Sequence, residues 1–214
     1  MEQPRSLLEY ALDAIRENIL IGKYPAGQKL STQDIAEELG ISRTPVNAAI
    51  NRLVAEGLAE AIPRRGTIVR KLSKKQIQEI IDVRTILEVY AAQQAVKNID
   101  EYPEKLQHMK ELICKFDELV EYDYKLASTI ESDFHRTLIE LSGNEQLLRL
   151  YDTNWTVGSA FYLYAMRNMP FTKQKILLEE HKYIVKLIED KNNEELEKIL
   201  RGHIAFVKDV LETV

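Results

Sequence analysis

The chain is short of the residues that staple or anchor a fold. It has one cysteine, Cys114, among 214 residues, which excludes an intramolecular disulfide and a thiolate metal cluster. No apolar run approaches the roughly 18 residues that cross a bilayer. The opening MEQPRSLLEY lacks the apolar stretch of a signal peptide. These absences point to a cytoplasmic protein with no membrane partner. There is no Gly-x-Ser-x-Gly, no P-loop and no His-Glu-x-x-His, so no catalytic residue is assigned. Histidine is scarce, with only His108, His135, His181 and His203. Repeats and low-complexity segments are missing as well. What remains is an ordinary globular composition, 45% hydrophobic and 29% charged, long enough for one large domain or two modest ones.

The most specific stretch runs from Ser31 to Ala59, STQDIAEELGISRTPVNAAINRLVAEGLA. Ile35, Ala36 and Leu39 carry helical spacing, and Gly40 stands where a helix stops in the left-handed conformation. Ile41 reads as a buried plug. Ser42 is an N-cap for a second helix with Pro45 in its first turn. Val46, Ala49, Ile50 and Leu53 form one apolar stripe. That leaves Arg43, Thr44, Asn47 and Asn51 near the opposite face. Gly57 ends the helix, and Leu58–Ile62 and Thr67–Lys71 read as strands joined by Pro63-Arg64-Arg65-Gly66. This is the layout of a winged helix-turn-helix, whose second helix enters a major groove by its N-terminal residues. Arg43 and Asn47 suit bidentate contacts with guanine and adenine, and Thr44 suits a phosphate or a thymine methyl. Arg64, Arg65, Gly66 and Thr67 suit a wing laid on phosphates or a minor groove. Arg43–Lys71 holds six basic and two acidic residues, a local +4 in a chain of net charge −5. Positive charge therefore gathers where phosphate would sit.

Leu7–Leu20 reads as a first helix. Ser73 with Gln76 is a capping box, which places a domain boundary between 1–72 and 73–214. Beyond it six helical segments are expected, at about 74–97, 103–122, 125–142, 145–168, 172–190 and 194–212. Pro103, Gly143-Asn144, Met169-Pro170 and Asn192 with Glu195 punctuate them, and together they make an all-α bundle. This half carries 19 basic and 25 acidic residues, so it is not the half that meets DNA. Glu131 and His135 are i and i+4 and share a helix face. Three imidazoles from three helices and one carboxylate suit zinc or another divalent first-row metal, although isolated histidines also pack without a metal. Arg84 with Glu88 reads as an i,i+4 surface pair. Cys114 reads as a core residue. Trp155, Phe161, Tyr162 and Tyr164 share one helix as core or dimer contacts, and some could line an effector pocket.

Several of these runs carry a family resemblance. Tyr24-Pro25-Ala26-Gly27-Gln28-Lys29-Leu30, Ile35-Ala36, Leu39-Gly40-Ile41-Ser42-Arg43-Thr44-Pro45-Val46, Arg52-Leu53, Glu56-Gly57-Leu58 and Arg65-Gly66 resemble the N-terminal domain of GntR-family transcription regulators. The family usually has Val-Arg-Glu-Ala-Leu where this chain has Val46-Asn47-Ala48-Ala49-Ile50, and often an arginine near Gln33. Those departures bear on which operator is read. Arg84-Thr-Ile-Leu-Glu88, Glu131-Ser-Asp-Phe-His135, Leu141-Ser142-Gly143-Asn144, Glu180-His181 and His203 resemble the FCD-type ligand-binding domain of the FadR branch. The helix count is similar to its VanR-like subgroup. The resemblance implies a divalent metal held by His135, His181, His203 and a carboxylate. Metal-containing members have an aspartate where Glu131 stands, and Asp133 is the alternative ligand. It also implies that Arg84 grips an effector carboxylate. The metal is expected to be zinc, with nickel or another first-row metal also open.

The resulting expectation is a mainly α protein, a winged helix-turn-helix joined to a six-helix bundle. It would act as a homodimeric repressor that binds double-stranded operator DNA and responds to a small organic acid bound with the metal. A metal sensor and a metal-dependent hydrolase are the alternatives.

Overall fold

The computed structural model describes residues 6–118, 123–167 and 171–212, of which 124, 125, 128, 159–167, 171–174 and 207–212 are described by backbone alone. The N-terminal half orders as α1 (Leu7–Leu20), α2 (Thr32–Leu39), α3 (Arg43–Ala55), β1 (Ala59–Ile62) and β2 (Gly66–Val69). A capping box starts α1: Ser6 Oγ accepts from the Glu9 amide at 3.2 Å, and the Glu9 carboxylate accepts from the Ser6 amide at 3.0 Å. Gly40 adopts φ 66° and turns the chain from α2 into α3. Ser42 does occupy the N-cap of α3, but its side chain makes no capping bond there. The two strands are shorter than their sequence suggests and pair antiparallel, Ala59 opposite Val69 and Ile62 opposite Gly66. Ala11, Ile15, Val46, Ala49, Ile50 and Leu53 are all but fully buried in one core. Each aliphatic side chain larger than alanine contributes about 1.5–3 kcal/mol there. Ile41 lies half-buried at the edge of this core rather than within it.

Among the described residues six helices follow: α4 (Lys74–Asn98), α5 (Pro103–Asp117), α6 (Tyr124–Glu140), α7 (Glu145–Arg167), α8 (Phe171–Glu189) and α9 (Asn193–Glu212). The expected capping box at Ser73 and Gln76 forms. Asn144 Oδ1 accepts from the amides of Gln146 and Leu147 and so starts α7. Asn192 Oδ1 caps α9 through the Glu195 amide at 3.3 Å. The fifth helix ends at Asp117, five residues earlier than expected, and 119–122 lie outside the described residues. So do 168–170, where Met169-Pro170 was read as a break.

Helix α4 is the axis of the bundle and packs against α6, α7, α8 and α9. Its inner surface is alanine-rich, with Ala91, Ala92 and Ala95 at 0–1% exposure, which lets neighbouring helices approach closely. The same surface carries Arg84 and Glu88, both buried. Charges on the inner surface of a core helix are costly unless they are paired, and they mark where the site lies. Cys114 is exposed rather than part of the core, because α5 buries Met109, Leu112, Ile113 and Phe116 and turns position 114 outward.

Candidate metal centre and DNA-reading surface

Four helices bring polar side chains to one point inside the bundle. Arg84 and Glu88 come from α4, Glu131 and His135 from α6, Glu180 and His181 from α8, and His203 from α9. His135 is 0%, His203 1%, His181 4% and Glu131 7% exposed. The three Nε2 atoms form a nearly equilateral triangle: His135 to His181 is 3.2 Å, His181 to His203 3.1 Å, and His203 to His135 3.2 Å. Glu131 adds Oε1 at 3.0 Å from His135 Nε2 and Oε2 at 3.4 Å from His181 Nε2.

The outer nitrogens explain the triangle. His135 Nδ1 donates to Glu88 Oε2 at 2.8 Å, and His203 Nδ1 donates to Glu180 Oε2 at 2.8 Å. Outer carboxylates of this kind hold the proton on Nδ1, leaving Nε2 as a bare lone pair. Lone pairs that face each other at this range repel unless a cation lies between them. Nitrogens bound tetrahedrally to zinc at about 2.0–2.1 Å would stand about 3.3–3.4 Å apart, within a few tenths of an ångström of the spacing found. The residues therefore fit a divalent ion, and Glu131, His135, His181 and His203 could hold one.

Burial alone would raise the Glu88 carboxyl, but Arg84 and His135 beside it prevail and draw it down to about 2. Glu131 is also raised by burial and is carried well below the usual carboxylate range by the imidazoles around it. Burial pushes His181 well below the ordinary imidazole value. His135 faces the same burial but is raised, because Glu88 and Glu131 clasp it. One proton on His135 is thus the metal-free counterpart of a bound cation. With that proton Arg84, His135, Glu88 and Glu131 sum to zero, and a divalent ion in place of the proton would make the sum +1.

Arg84 is a buried ion pair rather than a surface one. Its Nε donates to Glu88 Oε1 at 2.6 Å, its Nη2 lies 3.8 Å from Glu131 Oε1, and its guanidinium covers the Trp155 ring at 4.9 Å. Asp133 is half-buried outside the cluster. His108 is exposed on α5.

In the N-terminal half, Arg43, Thr44, Asn47 and Asn51 are all exposed on α3. Arg64, Arg65 and Gly66 are exposed at the tip of the β1–β2 turn. Thr67 is half-buried, and its carbonyl accepts from the Leu30 amide at 2.8 Å. Arg52 is committed to Glu56 at 3.1 Å, so it adds less free charge than its place in the sequence suggests.

Residues 8–69 match the bacterial regulatory proteins of the gntR family, and residues 79–206 match the FCD domain. The chain belongs to the GntR family and carries an FCD domain. It is a DNA-binding transcription regulator and not an enzyme. It is 29% identical over 193 residues to a protein of Paenarthrobacter nicotinovorans named "Probable D-xylose utilization operon transcriptional repressor", covering 90% of this chain and 83% of that one. It is 27% identical over 209 residues to the gluconate operon transcriptional repressor of Bacillus subtilis, covering 92% and 82%. Its fold is similar to that of McbR/YncC of Escherichia coli, with TM-score 0.78 at 22% identity over 98% of this chain and 99% of that one.

Three features of this GntR-family chain escaped the sequence reading. Glu88 and Glu180 orient histidines from other helices, and no motif in their own segments names that partner. A usable signal existed for Glu88: the helical phase of Ile81, Ala91, Ala92 and Ala95 places it inward. Lys29 is the third. It bridges to Ile68, and its Cε lies 3.2 Å from where a side chain at Gly66 would begin, so it adds an exposed cation beside the wing tip.

Proposed function

We propose that this GntR-family protein is a homodimeric repressor whose operator affinity is set by a small carboxylate bound with a divalent metal, zinc being the first candidate. Residues 1–72 read the DNA, with Arg43, Thr44, Asn47 and Asn51 toward bases and Arg64, Arg65, Gly66 and Thr67 toward the backbone. Residues 73–214 bind metal and effector and dimerise. The observation that carries the reading is the triangle of Nε2 atoms backed by Glu88 and Glu180, a donor set arranged for a cation. When bound, the ion supplies a Lewis-acidic charge that a carboxylate oxygen can meet. Glu131 takes the carboxylate ligand position and Arg84 faces the effector. The rise of buried charge from zero to +1 favours an anion in the metal-loaded state. The names of the relatives support repression, and the gluconate operon repressor makes a sugar acid the first effector to test.

Trp155 gives the site a physical connection to the DNA-reading half. One side of its ring meets Arg84, and it also lines a cleft of about 260 Å³ with Arg16, Ile19, Leu20 and Leu58. An effector that favours one arrangement of this contact shifts the population of DNA-competent molecules.

Metal analysis of the full-length protein is the first test. One divalent ion per chain is expected, retained in His108→Ala and lost or weakened in His181→Ala. Equal content in the two variants would refute the site. Operator affinity should then respond to D-gluconate or related sugar acids only in the metal-loaded protein. Affinity that follows metal concentration alone would make the ion itself the signal.

A further inference from the structure

Tyr151 is the buried polar group that neither the metal centre nor the bundle uses. It stands on α7, 1% exposed, packed among Leu87, Ala91, Ile139 and Leu147 and stacked on Trp155 with ring centroids 5.9 Å apart. Among the described residues its hydroxyl has no hydrogen-bond partner. Leaving such a group unmatched costs stability that phenylalanine at the same place would keep. The neighbours of Tyr151 tie it to the centre: Leu87 adjoins Glu88 on α4, and Trp155 also lies under the Arg84 guanidinium.

We propose that Tyr151 is an effector-contacting residue, its phenol O–H donating to an oxygen of the carboxylate that binds next to Arg84. The inference rests on the carboxylate reading above and names a second protein contact for the same ligand. Burial, reinforced by Glu88, holds the phenol well above its ordinary pKa, so Tyr151 is a neutral donor and not an anion that would repel the ligand. Arg84 and Tyr151 share Trp155 as a neighbour, one through its guanidinium at 4.9 Å and the other through ring stacking. A cation and a neutral donor brought together in a dry interior are the groups that recognise a carboxylate. An unmatched donor in the effector-free protein is then matched by the effector.

The chain's single tryptophan, Trp155, reports the event. Zinc-loaded full-length protein is titrated with acetate, a simple carboxylate, and the midpoint is read from Trp155 fluorescence. Tyr151→Phe is expected to weaken acetate binding about 10- to 100-fold, the weight of one hydrogen bond to a charged group. Its zinc content should be unchanged. Its melting temperature without acetate should rise by about 2 °C or more, because an unmatched polar group has been removed. A structural role for the hydroxyl would move that temperature the other way, and a fall would overturn the proposal. A wild-type acetate midpoint in Tyr151→Phe would also overturn it while leaving the carboxylate reading in place. Failure of zinc-loaded wild-type protein to bind acetate would remove the carboxylate reading and this proposal together.

Discussion

At the tip of the wing, Arg64 sits at φ 64°, a left-handed conformation that costs a side chain about 1–2 kcal/mol and glycine little. The turn is closed by the Arg65 amide donating to the Ile62 carbonyl at 3.0 Å. A cation placed where glycine would be cheaper suits a phosphate contact. Arg64→Gly should therefore leave stability unchanged or raise it by up to about 1 kcal/mol. It should weaken DNA binding evenly across sequences and reduce the salt slope by about one. Arg43→Ala should instead cost about 1–3 kcal/mol with relaxed preference at one base position. Salt titrations of both variants on several operators separate these effects, and a destabilised Arg64→Gly with normal DNA binding would refute the contact. The histidines give a second residue-scale prediction, for metal-free protein. His181 is held neutral, so below about pH 6.5 the unfolded chain takes a proton that the folded one refuses, and stability falls as pH drops. His135 is raised, so above about pH 6.5 the folded chain keeps a proton that the unfolded one has released, and stability falls as pH rises. Calorimetry with a chelator should show their joint contribution peaking near pH 6.5, each limb no steeper than about 1.4 kcal/mol per pH unit per proton. A flat profile across pH 5–8 would contradict these assignments.

Two glycines inside helices separate propensity from packing. Gly202 lies exposed in α9 with open space where a Cβ would stand. Gly202→Ala should raise stability by about 0.8–1 kcal/mol through helix propensity alone. Gly158 in α7 is different, because a Cβ there would come 2.9 Å from Ile80 Cγ2 and press α7 away from the N-terminal end of α4. The same propensity gain is opposed by about 1–3 kcal/mol of overpacking, so Gly158→Ala should be neutral to destabilising. Thermal melts of the pair decide it, and a gain at Gly158 equal to that at Gly202 would mean that α4 and α7 are not closely packed there. The element boundaries show what was legible. Ser73, Asn144 and Asn192 act on residues two or three positions away and Pro103 restricts its own backbone, so local pattern locates these starts. The end of α5 carries no glycine or proline, and its early stop at Asp117 had no local sign.

For the whole molecule, one reading helix per chain needs a partner to recognise a two-fold operator. The exposed apolar residues Val83, Ile86 and Tyr90 lie at i, i+3 and i+7 on the outer face of α4, at 44%, 66% and 46% exposure. The homodimer proposed above would place a second copy of the chain on this face. Sedimentation should show a dimer at micromolar concentration, and Ile86→Asp should shift it toward monomer without loss of metal. A wild-type monomer both on and off DNA would contradict the dimer.

The amino-acid sequence by itself determined the helix-turn-helix, the wing and the six later helices, because caps, left-handed glycines and helical periodicity act within a few residues. It also determined the Glu131–His135 pair, since four residues on a helix return to one face. The tertiary structure alone decided that His135 meets His203, 68 positions away. It likewise decided that Glu88 and Glu180 hold those rings, that Arg84 is buried and that Cys114 is not. The physical reason is packing. These side chains meet only when α4, α6, α8 and α9 bury their apolar faces together, and no local rule carries the resulting rotation of one helix against another.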